Sequence, residues 1–308
     1  MASNPRLPAY LSALGAYFSL AYALTWVFTI PFVYVWHNIT DKHFVWWMIL
    51  FLPGAYGPTL AAILVTAITS GRAGVRTLLG KFCQWRAPVG WWLFVAVMPL
   101  AVVFVAIVVS GFGPQAAASL DLGRAPVVVA VSLLVALPFG PLPEELGWRG
   151  YALPSLLARH GILASSLVVG FFWTFWHTPM FWFPGAAIPS CLELSLGSVL
   201  VFLLLLCAES ITFTVVYLRT RGSVPVAITL HLFGNAATNI AYGLTAEPSV
   251  DEAKRVYYAT VVLHCVVATA MLGYNALVTT PRDGTNAKHA HCVVLAASRP
   301  PSERQVHA

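Results

Sequence analysis

The sequence predicts an all-α integral membrane protein with about eight transmembrane helices. Charged residues make up 9% of the chain and hydrophobic residues 59%, and the mean hydropathy is +0.78. An average soluble domain has roughly 25% charged residues, so this composition indicates a protein whose outer surface faces lipid. The apolar runs lack the period-2 alternation of a membrane β-barrel, which favours helices as the elements that cross the bilayer.

The predicted membrane domain covers residues 10–280 and contains eight apolar runs. Each has at least the roughly 17 residues that a helix needs to span a bilayer. In order, the runs are 10–36, 44–69, 89–112, 125–142, 162–183, 195–218, 224–243 and 256–279. The first run is too long for the apolar core of a signal peptide, so we expect it to be a retained helix. The fourth run is short and is expected to continue as helix to about Arg159. The seventh contains His231.

The distribution of Lys and Arg predicts which parts of the chain face the cytoplasm. With residues 1–9 in the cytoplasm, most of the 17 basic residues fall in cytoplasmic segments, in agreement with the positive-inside rule. Both termini are then cytoplasmic, Glu144 and Glu145 lie near the cytoplasmic face, and the cell membrane is the expected location. Residues 281–308 are predicted to be a disordered cytoplasmic tail. Because this topology explains the net charge of +6, we expect the lipid bilayer and not nucleic acid as a partner.

Polar residues inside the apolar runs are the candidates for function, because a charged side chain in a bilayer costs at least about 2.5–3.5 kcal/mol on insertion scales. The candidates are Glu144, Glu145, Arg149, His177, Glu209, His231, Asn235 and His264. Glu145 and Arg149 are four residues apart, so on a helix the arginine can neutralise that carboxylate. Glu144 points about 100° away and stays free for another partner. His231 and Asn235 are also four residues apart and project from one helix face.

Two kinds of chemistry fit these residue types. A carboxylate with two histidines can bind a divalent metal such as zinc and activate a bound water. Alternatively, a carboxylate and a histidine can activate water without a metal, while an imidazole and an amide donate hydrogen bonds to the oxyanion. Both routes hydrolyse an acyl bond within the membrane. The chain has neither an HExxH motif nor a CxxC pair, and the residues alone leave the need for a metal open.

The same residues also have structural interpretations, such as an ion pair at a helix end, a core histidine and interhelical hydrogen bonds. Glu209 and His264 are each solitary in the sequence, so we expect them to pack or to hydrogen-bond, although Glu209 could also line the site. Trp148 and Trp173 could wall a cavity. Two other classes of protein stay open. One is a non-catalytic immunity or regulatory scaffold, and the other is a proton-coupled transporter, against which the absence of an inverted repeat argues.

Three short stretches together resemble the motifs of the CPBP family, the CAAX-protease and bacteriocin-processing membrane proteins. EELGWRG at 144–150 resembles the family's first motif, EExxxR. WTFWH at 173–177 resembles the second, FxxxH, with Trp173 in place of the phenylalanine. HLFGN at 231–235 resembles the third, HxxxN, and the order of the three motifs agrees with the family. The stretch 57–79 is similar to the segment that follows the family's second helix.

The resemblance implies an eight-helix intramembrane endopeptidase with its active site buried among helices 4, 5 and 7. The implied substrate is a membrane-anchored peptide or protein, either a prenylated CAAX-type tail or a bacteriocin-like peptide. Glu145 and Arg149 would form a pair that holds the first motif in place. A non-catalytic immunity or regulatory scaffold on the same fold is the alternative, although a scaffold has no need for intact motif residues.

The resemblance also implies roles for the remaining motif residues. Glu144 and His177 would activate the attacking water, while His231 and Asn235 would stabilise the oxyanion. Both a metalloprotease and a metal-free glutamate mechanism are associated with the family, so the implied cofactor is one divalent metal such as zinc, or none. The tryptophan at position 173 conserves the apolar bulk of the phenylalanine, and we expect it to leave the motif functional.

Overall fold

The computed structural model describes residues 7–38, 51–183, 185 and 187–279, and every regular element in these residues is a helix. The predicted all-α fold is therefore confirmed for the described part of the chain. Three predictions concern residues outside these ranges: most of the predicted N-terminal segment 1–9, the start of the predicted second span, and the predicted tail 281–308.

Eleven helices with defined ends follow one another along the described residues. They are α1 Leu7–Asn38, α2 Gly57–Leu79, α3 Val89–Val109, α4 Gly113–Ser119, α5 Ala125–Phe139, α6 Pro141–Gly147, α7 Leu153–Leu157, α8 Ile162–Trp176, α9 Leu196–Arg219, α10 Val224–Leu244 and α11 Val250–Thr279. A π-helical segment, Trp148–Ala152, connects α6 to α7. Short 3₁₀ segments at Gly80–Cys83, Leu122–Arg124 and Thr178–Trp182 complete the helical structure.

Six helices in the described residues are long and apolar enough to cross a membrane, so the predicted number of eight is not confirmed. The six are Leu11–Asn38, Gly57–Cys83, Val89–Val109, Leu122–Phe139, Leu196–Arg219 and Val250–Thr279. The predicted fifth span is shorter than expected, because α8 ends after 15 residues and a 3₁₀ segment follows. The predicted seventh span, α10, has 21 residues but carries His231, Asn235 and Asn239, which lower its hydropathy.

The predicted continuation of the fourth span to about Arg159 is interrupted. Helix α5 ends at Phe139, and Gly140, with φ −152° and ψ −75°, separates it from α6. The new helix begins with Pro141, whose missing N–H is tolerated in a first helical turn. The N–H of Glu144 then donates to the carbonyl of Gly140 at 3.0 Å. A π segment follows, an element that is frequent at functional sites.

Small residues allow the helices to pack closely around this break. A Cβ added to Gly147 would lie 2.5 Å from the backbone of Pro58, so α6 touches α2 with no side chain between them. A Cβ on Gly170 of α8 would lie 2.8 Å from the Cα of Cys207 in α9. Close backbone approach through small residues is a common mode of helix association in membranes, where lipid offers no hydrophobic drive between helices.

The outward helix faces are apolar, unlike the surface of a soluble protein, and an ion pair is buried in the interior. Large apolar side chains lie on outward helix faces, and Ile68, Leu196 and Leu277 are 82%, 75% and 79% exposed. The charged residues Glu145 and Arg149 are both completely buried. This distribution is that of an integral membrane protein with an apolar belt for lipid and its ionisable groups in the interior.

The close contact at Gly170 gives a test of this packing. We expect Gly170→Ala to lower stability by about 1–3 kcal/mol, the usual cost of overpacking a core, because the new methyl group meets backbone that cannot rotate away. The measurement is thermal unfolding of the purified protein in detergent. Gly273→Ala in α11 is the matched control, since no atom lies within 4 Å of its added methyl, and alanine there should leave stability unchanged or raise it. Equal unfolding temperatures for the two variants would contradict the packing described.

Candidate active site

The break after α5 opens onto a cavity of about 810 Å³. Glu144 of α6, His177 at the end of α8, and His231 and Asn235 of α10 all line this cavity. Glu145 lies behind them, fully buried. The sequence predicted a site among the fourth, fifth and seventh spans, and the structure brings the predicted residues together from the corresponding segments.

Glu144 is held through one carboxylate oxygen only. Its Oε2 accepts hydrogen bonds from the indole N–H of Trp173 at 2.7 Å and of Trp148 at 3.2 Å. Glu144 is 3% exposed and lies between the candidate spans. Burial raises the pKa of Glu144 to about 7, against the opposing effects of His231 and of the two indole N–H groups, which favour the charged form. A carboxylate with this pKa can exchange a proton near neutral pH.

Glu145 forms a completely buried charge cluster with two partners. Its Oε1 accepts from Nη1 of Arg149 at 2.9 Å and lies 2.8 Å from Nδ1 of His231. The Arg149 guanidinium is placed between two rings, with its Cζ 4.3 Å from the ring centroid of Trp173 and 3.9 Å from that of Phe213. The predicted Glu145–Arg149 pair is therefore present. The contact with His231 was not predicted. It orients the imidazole, because Nδ1 is directed at Glu145, which does not line the cavity.

His177 has one ring nitrogen engaged with the backbone. Its Nδ1 lies 2.8 Å from the carbonyl oxygen of Trp173, and a carbonyl only accepts, so Nδ1 carries the hydrogen. In the neutral imidazole, Nε2 then has the lone pair. The ring packs edge-on against Trp176 and Phe202, which limits its rotation. His177 is thus prepared to accept a hydrogen bond through Nε2.

Gly140 lies where three polar side chains approach one another, and its lack of a side chain permits that approach. A Cβ added to this residue would lie 2.8 Å from Nδ2 of Asn235, 3.4 Å from Oε1 of Glu144 and 3.4 Å from Nε2 of His231. These atoms come from two helices, α6 and α10, and cluster beside Gly140. A potential base and two potential hydrogen-bond donors are thus close together on the wall of the cavity.

The sequence left open whether the site holds one divalent metal such as zinc or none, and the described side chains are not grouped as zinc ligands. A zinc site has three or four His, Cys, Asp or Glu ligands, and no group of three such side chains could hold a metal within residues 7–38, 51–183, 185 and 187–279. One oxygen of Glu144 is taken by two indole groups, and Glu145 is engaged with Arg149 and His231. The chemistry described below therefore involves side chains alone, and the need for a metal stays open to experiment.

Sequence reasoning missed several residues that complete the site. Trp173 was expected to supply apolar bulk, but its N–H binds Glu144 and its ring covers Arg149. Phe213 covers the other face of that guanidinium, and nothing in its apolar surroundings indicated this role. Gly140 carried a weak signal, since a glycine among prolines just before two glutamates indicates a break in the helix.

Comparison with known proteins adds independent support. Residues 126–237, which include all three motifs, match the family model described as Type II CAAX prenyl endopeptidase Rce1-like. The chain is also 35% identical over 109 residues to the protein named CAAX prenyl protease 2 of Methanococcus maripaludis. That similarity covers 35% of this chain and 39% of the relative, so the chain spans about two fifths of the relative's length. The segment 126–237 of this chain, which holds the three motifs, is thus similar to the Rce1-like family.

Proposed function

We propose that this protein is an intramembrane endopeptidase that hydrolyses a peptide bond of a membrane-anchored substrate. The observation that carries the proposal is the clustering of Glu144 Oε1, His231 Nε2 and Asn235 Nδ2 around Gly140 on the cavity wall. A carbonyl bound in the cavity beside this cluster can contact both a base and hydrogen-bond donors, which is the arrangement that peptide hydrolysis needs. The similarity to a CAAX prenyl protease supports the same reaction class.

The attacking water is activated by Glu144. Its free Oε1 takes a proton from the water as the water oxygen attacks the carbonyl carbon, and Nε2 of His177 accepts the second hydrogen of that water and orients it. The protonated Glu144 then gives its proton to the nitrogen of the leaving amine. Because the two indole N–H groups hold Oε2, Oε1 keeps its direction throughout both transfers.

The oxyanion is stabilised by Asn235 and His231. The Nδ2 amide of Asn235 donates one hydrogen bond to the oxyanion and Nε2 of His231 donates the other. Since Nδ1 of His231 faces the Glu145 carboxylate at 2.8 Å, donation from Nε2 requires that both ring nitrogens carry hydrogen. The buried carboxylate of Glu145 stabilises this imidazolium, and Arg149 holds that carboxylate in place from its other side. Glu145 and Arg149 act as positioning residues.

The substrate is a peptide attached to the membrane, of the prenylated CAAX type or bacteriocin-like. The name of the Methanococcus maripaludis relative supports a prenylated substrate. The large cavity extends from Glu144 to the loop residues Cys191 and Glu247, which gives room for several residues of an extended chain. The positive-inside distribution supports a cell-membrane location with both termini cytoplasmic.

The proposal predicts that Glu144→Gln abolishes cleavage. Glutamine keeps the size of the side chain but cannot take a proton, so we expect kcat to fall about 10²- to 10⁴-fold, the usual contribution of a general base. Purified wild type and Glu144→Gln are assayed in detergent with a quenched fluorescent peptide that has a farnesylated CAAX end. Each protein is measured with and without a strong zinc chelator. Unfolding temperature confirms that the variant is folded.

The arms of this experiment separate the alternatives. Cleavage by wild type alone supports the peptidase, and inhibition by the chelator would show that a metal is needed. Turnover by Glu144→Gln close to that of wild type would contradict the role of Glu144. If neither protein cleaves this peptide or a bacteriocin-like one, the non-catalytic scaffold becomes the better description.

Gly140→Ala should disturb the site with one methyl group. That methyl would lie 2.8 Å from Nδ2 of Asn235, too close for the amide to keep its position, so we expect kcat/KM to fall about a hundredfold. The matched control is Gly234→Ala, which adds a methyl to another residue of the same cavity with no atom within 4 Å. Comparable activity of the two variants would mean that the reaction takes place elsewhere in the cavity.

Trp173→Phe should change the pH dependence of cleavage. The phenylalanine keeps an aromatic ring over Arg149 but loses the N–H that lowers the pKa of Glu144. The pKa of Glu144 therefore rises, the base is protonated at a higher pH, and the acidic limb of the kcat/KM profile moves to higher pH. At pH 7 we expect about a tenfold loss, with partial recovery at alkaline pH.

The control for this change is Trp176→Phe on the same helix. The N–H of Trp176 donates to Thr25 at 2.8 Å and not to Glu144, so its loss should leave the shape of the profile unchanged. An identical profile for wild type and Trp173→Phe would show that the indole hydrogen bond does not tune the base.

A further inference from the structure

A second polar group lies on another wall of the same cavity. Nε2 of His264 in α11 and Oε1 of Glu209 in α9 are 3.5 Å apart, with side chains 9% and 23% exposed. Both residues line the cavity that contains Glu144. Within the described ranges neither forms a hydrogen bond or ion pair with the six motif residues. From the sequence these two residues were expected to pack or to hydrogen-bond, and in the structure they lie side by side in the cavity wall.

The two side chains of this pair offer different hydrogen-bonding groups to the cavity. Nδ1 of His264 lies 2.9 Å from the carbonyl oxygen of Thr260, so Nδ1 donates to that carbonyl and Nε2 is the ring nitrogen left for a ligand. The Glu209 side chain offers carboxyl oxygens as acceptors.

The pair is open to a third group. Its separation of 3.5 Å exceeds the 2.7–3.2 Å range of N–H···O hydrogen bonds. Tyr257, nearly two turns before His264 on α11, lines the same cavity, and among the described residues its buried hydroxyl has no hydrogen-bond partner. Unpaired buried polar groups are destabilising, and a bound ligand with both donors and acceptors would satisfy all three side chains.

We propose that Glu209, His264 and Tyr257 bind the main chain of an extended peptide at a distance from the scissile bond. An extended peptide in a membrane-embedded cavity has unpaired N–H and C=O groups that need partners inside the protein. Glu209 accepts from a peptide N–H, the Tyr257 hydroxyl donates to a peptide carbonyl, and Nε2 of His264 forms a third hydrogen bond with the peptide main chain. This inference rests on the proposed peptidase function and adds a substrate-binding subsite that is independent of side-chain sequence.

The test measures binding separately from cleavage. Fluorescein-labelled farnesylated CAAX peptides, with single backbone N-methyl groups at successive positions, are titrated against the full-length Glu144→Gln protein, and Kd is read from fluorescence anisotropy. We expect one N-methyl position to weaken binding about tenfold, the loss of one strong hydrogen bond. In the double variant with Glu209→Leu, the unmodified peptide should bind about tenfold more weakly, and the same N-methyl group should have no further effect.

Three variants in the wild-type background test Tyr257 and His264, with Tyr258→Phe as the matched control for Tyr257→Phe. Tyr257→Phe removes the buried hydroxyl, and we expect KM for the quenched peptide to rise severalfold with kcat unchanged. Tyr258→Phe removes the hydroxyl of the adjacent tyrosine, which is 46% exposed, and should change neither constant. His264→Phe should raise KM about tenfold, again without loss of kcat.

The outcomes are distinguishable from failure of the proposed function. A loss of kcat at constant KM in His264→Phe, or N-methyl effects that are the same with and without Glu209→Leu, would overturn the subsite. Absence of peptide binding to Glu144→Gln and to wild type would overturn it as well. If the peptides bind with the expected N-methyl pattern while wild type cleaves none of them, the subsite stands and the peptidase function fails.

Discussion

The arrangement of the site depends on the buried carboxylate of Glu145. A lone ionised group in an apolar interior is prohibitively unfavourable, and removing one partner of a buried pair is strongly destabilising. Glu145 is stabilised from two sides, by Arg149 at 2.9 Å and His231 at 2.8 Å. The guanidinium in turn needs the rings of Trp173 and Phe213 on its two faces. The contacts that stabilise the charge of this one carboxylate therefore fix segments of α6, α8, α9 and α10 relative to one another.

This constraint explains why the break in the fourth predicted span is useful. An uninterrupted helix would continue through position 140 with a regular backbone, whereas the break at Gly140 directs α6 towards α10 and leaves room between them. Gly147 then permits backbone contact with α2, which supports the new direction. The contact at Gly147 and the buried charges of Glu145 and Arg149 are at the C-terminal end of α6, and together they hold Glu144 in a wall of the cavity.

The sequence predicted those parts of the site that depend on local spacing. The four-residue interval identified the Glu145–Arg149 pair and left Glu144 free, since both statements follow from helix geometry. That the three motifs meet could be expected from the family resemblance but not from spacing. The hydrogen bond from Trp173 to Glu144 and the Glu209–His264 pair depend on how separate helices are rotated against each other, which no local pattern encodes, whereas the bond from Trp148 to Glu144 is an i,i+4 contact. The helix count was overestimated because apolar length does not reveal where a 3₁₀ segment or polar residues shorten a span.

The two adjacent glutamates have received different partners, and the difference accounts for their chemistry. A carboxylate bound to a guanidinium is a weak base, because the fixed positive charge favours the ionised form. Glu145 takes the only such cation described in the site, and Glu144 receives neutral indole N–H groups instead. Neutral donors orient Glu144 without removing the effect of burial, so its pKa stays raised, at about 7. Trp173 serves both carboxylates together, since its N–H binds Glu144 while its ring covers the arginine that neutralises Glu145. A phenylalanine at this position could cover the arginine but could not donate a hydrogen bond to Glu144. Trp173 of the second motif therefore helps to position both glutamates of the first motif.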